Sequence, residues 1–165
     1  DFVLYGLYIL YFWGCSVYAV LAPFYPIIAK EKGVTEEQLG IIFGLFAFTG
    51  FCFAPVFGKL MDRIGRKRVI LIGCYIETTG VIIFAFITYF DDSLFLILSY
   101  FARFLMGLGG SAVLVTCFAL LSNAYAEDLE TKLGVMETLG GVGLMVGPLI
   151  GGLLYFIGGD TFFFI

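Results

Sequence analysis

The sequence predicts an all-α polytopic membrane protein with five complete spanning helices and the start of a sixth. Three observations carry that prediction. Of 165 residues, 61% are hydrophobic and only 13% charged, with a mean hydropathy of +1.05, whereas soluble domains run at about 45–50% apolar and about 25% charged. The apolar residues fall into five long runs, and a hydrocarbon core of about 30 Å takes about 20 residues of helix to cross. The connections between the runs are too short to fold by themselves. In lipid every backbone polar group must be satisfied within its own segment, so the runs are helices.

The first run, 2–29, contains "APFYP", where Pro23 and Pro26 bend it near its far end. "KEKGVTEEQ" then leads to the second run, 39–60, and "MDRIGRKR" to the third, 69–90. The fourth, 94–124, follows "DDS"; the fifth, 133–157, follows "EDLETK"; and "GGD" precedes a sixth that starts at 161. No linker divides the chain, so these helices form one bundle in which neighbours run antiparallel. The chain opens inside an apolar run without an initiator Met and stops in "TFFFI", so a longer polypeptide is expected, of which this is a piece.

Charge sets the orientation and excludes several functions. Lys59, Arg63, Arg66, Lys67, Arg68 and Lys132 sit in the 58–68 and 127–132 connections, whereas the alternate connections carry only Lys30 and Lys32. Basic loops stay in the cytoplasm, so the 58–68 turn is expected on that side; plasma and vesicular membranes are not distinguished. A net charge of -4 and a pI near 4.6 give no nucleic-acid footprint. Histidine is absent, and Cys15, Cys52, Cys74 and Cys117 each stand alone in apolar sequence. No catalytic arrangement, metal-ligand cluster or cofactor motif is present, so an enzyme is not expected.

Ionisable groups inside apolar helices are functional candidates. Glu77 lies about ten residues into the third helix, roughly 15 Å deep. Arg103 lies about as deep in the fourth, entering from the other side, and the two could pair. Glu137 is nearer the cytoplasmic end of the fifth helix, roughly 6–8 Å in. Some of these three could face a water-filled cavity and bind cations or protons. In "LGGVGLMVGPLIGGLLY", Gly143, Gly147 and Gly151 fall four apart and offer a flat groove for close helix approach. Pro148 is expected to kink or locally unwind the same helix. Trp13 and most of the ten Tyr and twenty Phe are expected to face lipid or the interface. In the basic turn, Gly58 and Gly65 bracket Asp62, an acid that positive-inside bias does not require. It could cap the next helix or hold neighbouring arginines.

These motifs resemble one family. Gly58-x-x-x-Asp62-Arg63-x-Gly65-Arg66-Lys67 looks like the cytoplasmic signature between helices two and three of the major facilitator superfamily. Arg103-x-x-x-Gly107-x-Gly109 resembles its fourth-helix motif, with Met106 where Gln is frequent. Gly147-Pro148-x-x-Gly151-Gly152 resembles the fifth-helix motif of its proton-coupled antiporters. "PFYPIIAKEKGVTEEQLGIIFG" and "LGVMETLGGVGLMVGPLIGGLLY" are most similar to the vesicular amine and polyamine branch. The first helix has no acid near Gly14, where monoamine members carry one, which speaks against a monoamine.

The resemblance implies the N-terminal six-helix half of a transporter that rocks against a C-terminal six-helix half of the same polypeptide. Its partners would be lipid, protons and a small organic solute, with proton-coupled antiport of an organic cation or polyamine by alternating access. Asp62 and the basic residues would form a cytoplasmic gate, the fifth-helix glycines a sliding seam, and Arg103 would influence a carboxyl in the cavity. The alternative is a membrane sensor or assembly partner that uses the same fold without transporting.

Overall fold

Pro23 has no N–H to offer the carbonyl of Ala19, and the first run divides where that bond would form. In the computed structural model, which describes the backbone of residues 2–163 and the side chains of 2–157, α1 covers Phe2–Val20 and α2 covers Tyr25–Glu31. The Ala22 N–H bonds the Ala19 carbonyl instead, at 3.1 Å, tightening the turn. Pro26 sits in the first turn of α2, where its missing N–H leaves no helical carbonyl unpaired.

Next come α3 (Glu36–Ile64), α4 (Arg66–Phe86) with a 3-10 turn at Ile87–Tyr89, α5 (Asp92–Ala124) and α6 (Leu129–Phe163). No strand occurs among the described residues. Five segments are long and apolar enough to cross a membrane, counting α1 and α2 as one span. The architecture is the all-α polytopic one expected from composition.

The helices overrun the apolar runs wherever polar residues can finish a turn. α3 begins ahead of Leu39 because Thr35 and Gln38 form a capping box. The Gln38 N–H donates to Thr35 Oγ1 at 3.3 Å, and the Thr35 N–H donates to Gln38 Oε1 at 3.0 Å. Glu36 and Glu37 add negative charge at the positive end of the helix dipole.

At the other end of α3, the expected eight-residue connection shrinks to Gly65 alone. Asp62 and Arg63 continue α3, while Arg66 and Lys67 already begin α4. Gly65 takes φ 88° and ψ 148°, and its N–H donates to the Met61 carbonyl at 3.0 Å. A residue with a Cβ is strained there by about 1–3 kcal/mol. Gly65→Ala should therefore lower the thermal stability of the full-length protein by that order, read as a fall in melting temperature in detergent.

One expectation about α6 needs correction. The helix contains Pro148 and continues through 158–160, where a connection and then a sixth helix from 161 were expected. Glycines end helices by turning left-handed, and among the described residues Gly33 and Gly65 take positive φ. Phe164 and Ile165 lie outside the described residues.

The described residues group into two compact units, 2–24 with 117–163, and 25–116. In the first, α1 and α6 run parallel in close contact. Gly140 lies under the Tyr11 ring, Gly143 meets Phe12 and Ser16, Gly147 meets Ser16 and Val20, and Gly151 meets Val20 and Phe24. Phe24 also stacks on Tyr155, with centroids 6.0 Å apart. Lipid tails give apolar side chains no reason to flee, so helices associate through close packing of small residues.

In the second unit, α4 and α5 run antiparallel, with Gly73 against Ala112 and Gly109, and Gly80 against Ala102 and Met106. Gly107 lets α5 approach the α3 backbone at Phe46. Outside the helices, Lys32 ties the end of α2 to the start of α5, 3.5 Å from Asp92 and 3.2 Å from the Phe90 carbonyl.

Candidate functional site

Tyr25 organises the core of the second unit. Its ring lies 4.9 Å from Phe84, 5.9 Å from Phe43 and 6.1 Å from Phe95. The Arg103 guanidinium occupies the same cluster, 4.7 Å from the Phe43 centroid and 5.4 Å from that of Phe84. Arg103 is fully buried. Aromatic faces attract a desolvated cation, by about 2 kcal/mol or more. Sequence reasoning placed Arg103 but missed this cluster, because aromatics are so abundant that Tyr25, Phe43, Phe84 and Phe95 do not stand out from lipid-facing ones. Trp13, Tyr75 and Phe51 are exposed as expected of that majority.

Glu77 does not meet Arg103. The α4–α5 register that Gly73 and Gly80 impose puts Glu77 beside Gly109 and Gly110. The Glu77 carboxyl reaches across Gly110 towards the Phe46 ring of α3: a Cβ added at Gly110 would lie 3.6 Å from Glu77 Oε1 and 3.4 Å from the Phe46 ring. Arg103 lies instead at the level of Phe84, seven residues or about 10 Å further along α4. The expected pairing fails on register, although both residues occupy the same pair of helices.

In the first unit, Glu137 comes next to Tyr11, whose hydroxyl lies 3.4 Å from each carboxylate oxygen. Tyr11 is buried, and its ring meets the edge of Phe118 at 5.8 Å. Glu137 is exposed although it lies within an apolar span. Tyr8 anchors the same interface by donating to the Lys132 carbonyl at 3.1 Å. Gly143, Gly147 and Gly151 face α1, whose backbone lies against them. Gly152 does not join them, since a Cβ there meets nothing within 4 Å. Pro148 removes the N–H that Leu144 would otherwise bond.

The basic turn corrects two expectations. Asp62 neither caps α4 nor holds an arginine: the N-cap is Gly65, with no side-chain cap bond. Asp62 makes no hydrogen bond or ion pair among the described residues. Being inside α3, it cannot reach back to cap a helix that starts one residue after Gly65. It is exposed, as are Arg63 and Lys67, with Arg66 half-buried. Among the described residues nothing lies within 4 Å of a Cβ placed at Gly58.

A parallel helix pair seamed by glycine, a buried arginine in a second helical unit and charged groups within five candidate spans describe a polytopic helical membrane protein. The sequence profile of the Major Facilitator Superfamily matches residues 5–165. The chain belongs to that superfamily of membrane transporters. It is 31% identical over 144 residues to the MFS-type transporter SLC18B1 of Mus musculus, covering 86% of this chain and 31% of the relative. The multidrug resistance protein MdtL of Shewanella sp. (strain ANA-3) is 33% identical over 159 residues, covering 91% of this chain and 36% of the relative. The tetracycline resistance protein, class H, of Pasteurella multocida is 30% identical over 139 residues, covering 82% and 33%. The chain spans about a third of the length of these curated relatives.

Proposed function

We propose that this chain is the N-terminal helical half of a proton-coupled antiporter that moves an organic cation or polyamine by alternating access. The observation that carries the reading is the Glu137 carboxylate, inside a span and beside a glycine-packed helix pair. A carboxylate can take either a proton or a cation, and a weakly interlocked glycine seam can slide. The resistance proteins among the relatives are named for small organic compounds, which supports a solute of that size.

In this reading the turn of Gly58, Asp62, Arg63, Gly65, Arg66 and Lys67 faces the cytoplasm and latches against the C-terminal half in one of the two states. Its exposed charges leave it available for such a contact. Arg103 is a fixed cation, and Glu77 is a second carboxyl available to protons. Glu137→Gln should flatten the pH dependence of transport by the full-length protein, assayed at saturating substrate in sealed vesicles. An unchanged profile would remove Glu137 from the proton cycle.

A further inference from the structure

We propose that Glu137 and Tyr11 form the subsite that takes the ammonium group of the cationic substrate. The inference rests on the antiporter reading above and places its cargo. A carboxylate within a span calls for a partner, and among the described residues Glu137 meets the Tyr11 hydroxyl. Tyr11 offers a single O–H, its hydroxyl oxygen 3.4 Å from both carboxylate oxygens. A carboxylate has about four acceptor positions, so most of its capacity stays open.

The single cation on α6, Lys132, is drawn elsewhere. Its Nζ lies 3.0 Å from Asp128 and 4.8 Å from the centre of the Tyr125 ring. The Thr138 hydroxyl, adjacent in sequence, is turned back to the Gly134 carbonyl at 2.7 Å. Space is open too: Gly134 and Gly141, about one turn to either side of Glu137, have nothing within 4 Å of where a Cβ would be.

The site is also set in advance. The Tyr11 ring is held from below by Gly140 and from the side by Phe118, so its hydroxyl and face are oriented before a ligand arrives. An ammonium group brings up to three donors and a positive charge. The carboxylate satisfies the charge, and the neighbouring aromatic ring favours it further.

The test is equilibrium binding of radiolabelled spermidine to the purified full-length protein, with thermal unfolding measured on the same samples. Glu137→Gln should weaken binding about tenfold or more, with an unchanged melting temperature. Glu137→Asp should recover most of that loss, and Tyr11→Phe should weaken binding about threefold. If Glu137→Gln binds spermidine like the wild type, the subsite is overturned while the antiporter reading stands. The same binding with a lowered melting temperature also overturns it, by making Glu137 the structural partner of a cation elsewhere in the polypeptide. If the wild type binds neither spermidine nor tetraethylammonium, both the subsite and the organic-cation reading fall.

Discussion

Gly147→Val should destabilise the full-length protein severely, whereas Gly152→Val on the same helix should leave its melting temperature nearly unchanged. A Cβ at Gly147 would lie 2.6 Å from the Ser16 carbonyl oxygen and 3.1 Å from both the Ala19 Cβ and the Val20 nitrogen. Two of those three atoms are backbone, so the contact can be relieved only by moving α1 off α6. Overpacking of this kind typically costs about 1–3 kcal/mol, and a branched side chain against backbone belongs at the upper end. Gly152 has open space at the same atom. Both substitutions change helix propensity alike, so the difference between them isolates the seam. Equal melting temperatures would show that α1 and α6 do not pack as described.

Asp62→Asn should reduce transport about tenfold, or ~1.4 kcal/mol of transition-state free energy, without changing membrane abundance. Asp62 is exposed and makes no bond among the described residues, so folding does not depend on its charge. A loss of transport would then come from a contact made in only one state of the cycle. Surface abundance by quantitative blotting, beside initial uptake rates, separates the two. Normal rates would remove Asp62 from the gate. A parallel fall in abundance would make its role structural.

The membrane helices were legible because hydropathy is a property of each segment alone. Their ends were less so, because Thr35, Gln38, Asp62 and Arg66 are polar residues that helices accept once a cap or a glycine turn permits it. Gly65 could be read as a tight turn from its place among charges. Its left-handed conformation then reduced the connection to a single residue.

The candidate site was legible as a set of residues but not as a set of contacts. Glu137 stands out as an acid in an apolar helix, but its partner Tyr11 is 126 positions away and is one aromatic among many. Arg103 was visible for the same reason as Glu137, and the rings around it were hidden for the same reason as Tyr11. The pairing of Glu77 with Arg103 was plausible from depth alone. It failed because glycines fix the helix register, and register is set by packing between helices rather than by the sequence of either one. Gly143, Gly147 and Gly151 lie against α1, and nothing in their spacing names α1 as the neighbour.

The most direct measurement is uptake of radiolabelled spermidine into proteoliposomes that hold the full-length protein and an acidic interior. Antiport predicts accumulation against the spermidine gradient, alkalinisation of the lumen as substrate enters, and loss of both when an ionophore collapses the pH gradient. Uptake that ignores the gradient, or none above that of protein-free vesicles, would contradict a proton-coupled polyamine antiporter.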